Sequence, residues 1–201
     1  VAVATGLLHV LENYVYLQTL LRLPDRGLAA TAALQTENGF YYSYYSELVE
    51  ADSALEGLQN IIWDRRTEYP DVLNAIRRFN IYQEVVVALE FRALRFIGVL
   101  LPHPFDFFRA HILALSGVGQ AAMSMLASEI SGNPLAGLAC FLASFLCRFQ
   151  ISRLGNYTSS NLRELWGTPV LWVQCYLLWR LILCSRQGRQ TGGVSLLLLL
   201  L

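Results

Sequence analysis

The chain contains no lysine and few charged residues of any kind. All fifteen basic residues are arginine, and Asp, Glu and Arg together make up 15% of its 201 residues, against about 25% in ordinary soluble domains. Hydrophobic residues account for 55%, and the mean hydropathy is +0.41. The net charge of zero gives no support for a nucleic-acid or acidic partner. This composition predicts a membrane protein.

Motifs for metal ligation and for a disulfide framework are also missing. The four cysteines lie in or beside apolar runs without Cys-x-x-Cys spacing, so we expect them to pack as small hydrophobic residues. The three histidines, His9, His103 and His111, are isolated, and no Asp-x-Asp pair occurs; Glu50 and Asp52 come closest. We therefore expect neither a metal nor a cofactor.

The two ends of the chain lack features that would define them. No basic region precedes an apolar core after Val1, so a signal peptide is not evident. Residues 1–12 are too few to cross about 30 Å of hydrocarbon, which needs about 20 residues, and we expect them to be the end of a first transmembrane helix. Six leucines follow a Gly-rich polar stretch at the other end. We interpret residues 185–201 as an atypical tail, of the kind that a truncated gene model produces.

Charges are concentrated in the first half of the chain. Of the 30 Asp, Glu and Arg residues, 21 precede residue 109. Residues 13–108 are therefore predicted to form a long helical loop with interfacial helices, and the charges of residues 52–80 are interpreted as a solvated surface. Residues 82–101 are long enough to cross a bilayer, but three charges within six residues disfavour a lipid-exposed span. We expect a helix in the interface or against other helices.

Residues 109–184 are predicted to contain three transmembrane helices. Their apolar runs are separated by a tight Ser-Gly-Asn-Pro break and by a polar loop, residues 152–164. Small residues in the second run, among them Gly137, allow close helix contacts in a membrane. Two crossings then lie between the segment around Glu37 and the 152–164 loop, so both face the same compartment.

The stretch whose residues are best suited to catalysis or binding is 36–45, TENGFYYSYY. It places Glu37 near a glycine and five aromatic rings within six residues. Polar-tipped rings collect in binding clefts and at membrane interfaces, and partial burial raises the pKa of a neighbouring carboxylate towards that of a general base. When these residues are considered alone, a structural role for Glu37, as a cap of a loop, is more common than a role as a general base.

This stretch resembles the signature of the dumpy-nineteen family of endoplasmic-reticulum C-mannosyltransferases. The resemblance continues through residues 67–70, TEYP, and residues 78–85, RFNIYQEV, and more weakly at Leu162-Arg163-Glu164; in all it spans about residues 9–182. The residues of the first stretch that match are Thr36, Glu37, Gly39, Tyr41, Tyr42, Ser43 and Tyr44.

The resemblance implies a fold and an activity. The fold would be an all-α, polytopic membrane protein of the multi-span GT-C glycosyltransferase type, with this chain as a fragment that holds a long helical lumenal loop. The donor would be dolichyl phosphate mannose, and the acceptor a polypeptide with a Trp-x-x-Trp sequence, mannosylated at indole C2. The location would be the endoplasmic-reticulum membrane. The protein would cross this membrane several times and contact its lipids.

The resemblance also assigns roles to particular residues. Glu37 would act as the base, and Arg163, with Arg153 in reserve, would bind the donor phosphate, since a guanidinium gives charge-assisted bonds to two oxygens. The acceptor cleft would be formed by Tyr41, Tyr42 and Tyr44, although an interfacial aromatic belt suits these rings equally well. Residues 152–161 depart from the family pattern of Thr-Arg, an aromatic and prolines.

Two other functions remain open at this point. One is a lipid-linked sugar transferase with a different acceptor, such as the oligosaccharyl type, but such enzymes usually carry acidic pairs with a metal, which this sequence lacks. The other is a catalytically inactive relative that serves as a membrane scaffold.

Overall fold

The computed structural model describes the backbone of residues 1–20, 37–151 and 163–186, and the side chains of residues 1–15, 39–147 and 166–186. Over these ranges the chain is helical, as predicted, and its only β pairing there is an isolated bridge between Asp64 and Leu73. The helices are α1 (Ala2–Leu20), α2 (Glu37–Glu50), α3 (Ala54–Ile62), α4 (Ala75–Phe79), α5 (Tyr82–Phe96), α6 (Pro104–Ser131), α7 (Pro134–Ile151) and α8 (Arg163–Arg186).

The chain divides into two compact units. Unit 1 comprises Val1–Arg22 and Ile112–Leu201, and unit 2 comprises Leu23–His111. The division falls within α6, whose first turns belong to unit 2.

Unit 2 is built around α2, which packs against α5 and α3. The aromatic run of α2 supplies much of the core, because Tyr45 and Leu48 are completely buried. The Tyr45 ring lies 4.6 Å from that of Phe108, and its hydroxyl donates a hydrogen bond of 3.0 Å to the carbonyl oxygen of Pro104. The packing of α5 on α2 is one of the two arrangements expected for residues 82–101.

Short polar side chains define where the small helices of unit 2 begin. The Ser53 hydroxyl accepts the backbone N–H of Glu56 at 3.1 Å, and the Asn74 carboxamide oxygen accepts that of Arg77 at 3.0 Å. Both are N-cap interactions, which satisfy donors that the first turn leaves without partners. Helix α4 ends at Asn80, which adopts the left-handed conformation with a φ of 53°.

The helices of unit 1 pack through small residues. A Cβ atom built on Gly119 of α6 would lie 2.6 Å from Cα of Pro169 in α8, and one built on Gly6 of α1 would lie 2.7 Å from the carbonyl oxygen of Gly117 in α6. The predicted close contact of Gly137 is also present, because its Cβ position lies 2.3 Å from Oγ of Ser128. Such contacts are typical of helices that associate in membranes.

Contacts along these helices give their relative directions. Gly119 and Glu129 of α6 meet Pro169 and Arg180 of α8, respectively, so α6 and α8 run parallel. In α1, Thr5 donates a hydrogen bond of 3.0 Å to Ser124, whereas the later residue Val10 contacts the earlier Gly117, so α1 runs antiparallel to α6. The chain therefore reverses direction twice between Ile112 and Arg163, through α7.

Two helices are long and apolar enough to cross a membrane within the described ranges. They are Pro104–Ser131 and Trp166–Arg186, with Pro134–Cys147 as a shorter apolar helix between them. Two of the three predicted spans thus have candidates of sufficient length. Helix α1 continues past residue 12 to Leu20, and residues 187–201 of the predicted tail lie outside the described residues.

Candidate functional site

An open cavity of about 860 Å³ lies beside α2 in unit 2. Aromatic residues of α2 form one side, and the turn that follows α3 forms another. The lining residues that matter for the chemistry are Phe40, Tyr42, Tyr44, Asp64, Arg66 and Thr67. Rings and polar groups therefore face the same space.

Two of the three sequence segments that carry the family resemblance line this cavity, and the third packs against the first. Phe40 and Tyr44, from the first segment, pack on Phe79 of the third, with ring centroids 4.8 and 6.3 Å apart. The Tyr44 hydroxyl lies 2.9 Å from Oγ1 of Thr67 in the second segment. The second and third segments are joined in turn by a 3.2 Å contact between Glu68 and Arg78. The first segment thus packs with two segments that lie more than twenty residues further along the chain.

The polar centre of this arrangement is Asp64, which is only 2% exposed. Its Oδ2 atom accepts hydrogen bonds from the Tyr44 hydroxyl, at 2.8 Å, and from the Thr67 hydroxyl. Its Oδ1 atom accepts the backbone N–H of Arg66 at 2.8 Å. The Asp64 backbone pairs with Leu73 through two hydrogen bonds of 3.0 Å, which hold the turn in place.

These contacts change the pKa values of the cluster. Burial alone raises the pKa of Asp64, but the hydrogen bonds from Thr67, the backbone of Arg66 and Tyr44 outweigh burial and hold the pKa below its ordinary range. Burial also raises the pKa of the Tyr44 hydroxyl, and it raises that of Tyr42 to about 12, assisted by the negative charge of Glu50. At neutral pH the cluster therefore consists of an ionised carboxylate and protonated hydroxyls.

The rim of the cavity carries an ion pair. Arg66 binds Glu47 of α2, and its Nε atom lies 3.8 Å from Oδ1 of Asp64. The hydrogen bond to Glu47 raises the pKa of Arg66 further. The Arg66 side chain remains 70% exposed, so a surface interaction of this kind stabilises the fold only slightly.

The structure describes the predicted site residues to different extents. Tyr42 and Tyr44 line the cavity. Tyr41 is 6% exposed and packs edge-on against Phe40, with 5.7 Å between the ring centroids, and it is not among the lining residues. Glu37 is the first residue of α2 and Arg163 the first of α8, but neither side chain is among those described.

Arg153 lies within residues 152–162, outside the described part of the chain. The proposed contact of Glu37 with an acceptor, and of Arg163 or Arg153 with a phosphate, therefore stays a prediction.

The interpretation of residues 52–80 as a solvated charged surface is wrong for Asp64. Arg65 and Arg66, which follow it, are exposed, whereas Asp64 turns inward because Tyr44 and Thr67 supply donors for its carboxylate. A possible sequence signal was the Asp-x-x-Thr spacing, in which a hydroxyl three residues later can reach back to the carboxylate.

No group of three or more His, Cys, Asp and Glu side chains is placed to hold a metal ion within the described ranges. Two of the histidines have other partners. Nδ1 of His103 accepts the backbone N–H of Phe105 at 3.3 Å, and Nε2 of His111 lies 3.1 Å from the carboxylate of Glu90.

The structure is therefore that of a helical protein with two candidate membrane spans. In its unit 2, three sequence motifs pack together. A family model described as "Dpy19: Q-cell neuroblast polarisation" matches residues 25–201. The chain belongs to this family, as its motifs predicted.

Individual relatives carry names that specify an activity. The chain is 30% identical over 223 residues to the human protein named "Probable C-mannosyltransferase DPY19L2", covering 94% of this chain and 28% of the relative. It is 30% identical over 209 residues to human "Protein C-mannosyl-transferase DPY19L1", covering 90% and 30%, respectively. It is 39% identical over 99 residues to "C-mannosyltransferase dpy-19" of Caenorhabditis elegans, covering 46% and 14%. The chain thus spans about 30% of the length of the human relatives.

Proposed function

We propose that this chain is part of a C-mannosyltransferase of the endoplasmic-reticulum membrane. The enzyme would transfer mannose from dolichyl phosphate mannose to a tryptophan in a Trp-x-x-Trp sequence of a secretory or membrane polypeptide. The observation that carries the proposal is that three family motif segments pack together and that two of them line one cavity beside α2. The names of the relatives support the reaction class.

The reaction makes few demands on the protein. Indole C2 attacks the anomeric carbon of mannose, so a carbon–carbon bond forms while the bond from that carbon to the phosphate oxygen breaks. The electron pair leaves with dolichyl phosphate, and the proton on C2 is lost to a base. The protein therefore has to align the two substrates, accept one proton and neutralise the developing charge on the phosphate.

We assign the base to Glu37. It opens α2, and the period of 3.6 residues per turn puts positions 37, 40 and 44 on one face of the helix. Phe40 and Tyr44 of that face line the cavity, which supports a location of the base beside the acceptor. We assign the phosphate to Arg163, at the start of α8, with Arg153 in reserve.

We further propose the multi-span GT-C architecture for the whole enzyme. In addition to the two candidate spans, α7 has 18 residues, which at 1.5 Å per residue extend about 27 Å, close to the thickness of the hydrocarbon core. The parallel directions of α6 and α8 support two crossings between residues 112 and 163. Under this topology the 152–164 loop and unit 2 share one compartment, the lumen.

The test is a mannosylation assay with the full-length protein, dolichyl phosphate mannose and a Trp-x-x-Trp peptide. Wild type should form the C-mannosylated peptide, detected by mass spectrometry. Glu37→Gln should reduce kcat by a factor of about 10² to 10⁴, the usual contribution of a general base. Glu56→Gln is the matched control, because Glu56 is an exposed carboxylate of the same unit, and it should keep the wild-type rate.

The outcomes separate the possible functions. Full activity of Glu37→Gln would remove Glu37 as the base while keeping the enzyme. Failure of wild type to form product, in a preparation that is folded and binds the donor, would favour the inactive scaffold. Transfer to a different acceptor in place of tryptophan would favour the other class of lipid-linked sugar transferase.

A further inference from the structure

The cluster around Asp64 has a defined arrangement of hydrogen-bond donors. A hydroxyl group has one proton to donate and two lone pairs that accept. The Tyr44 and Thr67 hydroxyls both lie within hydrogen-bond distance of Oδ2 of Asp64, and they lie 2.9 Å from each other in a contact in which either can be the donor. The single proton of the Thr67 hydroxyl is therefore donated within the cluster, to Asp64 or to Tyr44. The Thr67 oxygen is left with lone pairs only for any further partner.

The two hydroxyls differ in what else can reach them. Tyr44 is 3% exposed, so its oxygen has little access to a ligand. Thr67 is an exposed residue that lines the cavity. Its Oγ1 atom has no proton left to offer, so a ligand that reaches this atom from the cavity meets an acceptor. A site of this kind selects a ligand with an N–H group over one that offers another acceptor.

We propose that Thr67 is an acceptor-binding residue, which takes a hydrogen bond from an N–H of the tryptophan unit in the acceptor polypeptide, and that Asp64 is the positioning residue that orients it. This inference rests on the proposed function and extends it to acceptor recognition. The N–H is that of the indole ring or that of the tryptophan backbone, and the two share the same chemistry. Asp64 does not touch the substrate and acts only through Thr67 and Tyr44.

The first test replaces the hydroxyl of Thr67. Thr67→Val keeps the shape of the side chain and removes the acceptor, so it should raise KM for a Trp-x-x-Trp peptide about fivefold, the loss of one typical hydrogen bond. The values of kcat and of KM for dolichyl phosphate mannose should stay at wild-type values. Thr67→Ser, which retains a hydroxyl, should restore KM for the peptide.

The second test identifies the N–H group. One peptide carries 1-methyltryptophan at the reacting position, and another carries an N-methylated backbone at the same residue. The peptide that lacks the recognised N–H should bind wild type about fivefold more weakly, measured as its KM or as its inhibition constant against the ordinary peptide. Thr67→Val should cause no further loss with that peptide, because the two changes remove the same hydrogen bond.

The third test reverses the polarity of the cluster. In Asp64→Asn only one oxygen remains. It should accept the backbone N–H of Arg66, whose direction is fixed, so the amide N–H groups face the two hydroxyls, whose protons can rotate. The hydroxyl protons would then turn away from residue 64, and the Thr67 hydroxyl would no longer offer only lone pairs to a ligand. KM for the peptide should therefore rise as in Thr67→Val, with KM for the donor unchanged.

The inference is overturned by an unchanged peptide KM in Thr67→Val, or by equal losses for peptide and donor together with a lower Tm, which would indicate a structural role alone. Additive losses with both methylated peptides would also overturn it. Absence of product from wild type would instead remove the proposed function, and this inference with it.

Discussion

Asp64 shows how much a single buried carboxylate depends on its donors. Three hydrogen bonds compensate for the loss of water around it. Its folded-state pKa is lowered, so ionisation of Asp64 adds to the free energy of unfolding at pH values above its unfolded pKa of about 3.9. This stabilisation disappears as the pH falls through the folded-state pKa, because the folded protein then has to bind the proton that the unfolded chain already holds.

A pH-dependent difference in stability follows. At pH 7, Asp64→Asn should reduce the free energy of unfolding by about 2 kcal/mol, since hydrogen bonds to a charged group are replaced by weaker ones. The deficit should shrink below pH 4, because the unfolded wild-type chain then binds a proton that folded Asp64 does not yet bind. The Tm of both proteins measured at pH 7, 4 and 3 would test this. Asp71→Asn, at an exposed position of the same turn, should show little difference at any pH, and an equal deficit for Asp64→Asn at pH 7 and pH 3 would contradict the prediction.

The sequence did not reveal the role of Asp64 for a physical reason. Asp64, Arg65 and Arg66 are adjacent and all charged, and their order does not indicate which side chain turns inward. That direction depends on Tyr44, twenty residues earlier, and on the backbone pairing with Leu73. By contrast, the aromatic surface of residues 40–45 was predictable, because five rings in six positions must find partners wherever the helix packs.

At the scale of a helix, the end of α2 is held by one side chain of α5. The guanidinium of Arg92 donates hydrogen bonds to the carbonyl oxygens of Leu48, Val49 and Ala51, at 3.0, 3.2 and 2.7 Å, and to that of Asp52 at 3.3 Å. The last carbonyl groups of a helix have no partners within it and carry partial negative charge. Arg92 satisfies these carbonyls and joins the two helices.

Removing this side chain should loosen the end of α2. Arg92→Met keeps an apolar stem and loses the guanidinium, and should lower the free energy of unfolding by about 2 kcal/mol. Backbone amides of the last turn of α2 should also exchange hydrogen faster. Arg95→Met is the matched control, because it removes the same charge from an exposed position of the same helix. Equal effects of the two variants would mean that the charge of α5, and not the capping contact, is responsible.

The sequence predicted the location of α5 but not the partners of its charged residues. The charges of residues 82–101 correctly disfavoured a lipid-exposed span, and no span candidate falls there among the described helices. What the sequence left open was the partner of those charges. The pairing of Arg92 with four carbonyl groups forty or more positions away depends on how two helices cross, which no local pattern of residues contains.

For the whole molecule, the sequence predicted the helical class, the longest apolar helices and the family. The number of membrane crossings can be inferred only when the directions of the helices in unit 1 are known. Because α6 and α8 run parallel, the turn after α6 and the last residue of α8 belong to the same end of unit 1. Under the proposed topology that end faces the cytosol.

Cysteine labelling in sealed microsomes tests this topology. Single cysteines would be placed at Asn133, Arg186 and Ser160 in a protein whose native cysteines are replaced by alanine. Asn133→Cys and Arg186→Cys should react with a membrane-impermeant maleimide before permeabilisation, and Ser160→Cys only after it. Labelling of all three positions from the outside would mean that neither α7 nor α8 crosses the membrane.

The hydrogen bond between Thr5 and Ser124 links positions 119 residues apart. Ribosomes add about 5–20 residues per second, so α1 emerges about 6–24 s before its partner is made. During that interval the Thr5 hydroxyl has only its partner within α1, the carbonyl oxygen of Ala2. Biogenesis of the protein thus includes a waiting period, whose length is determined by the amount of polypeptide between the two helices.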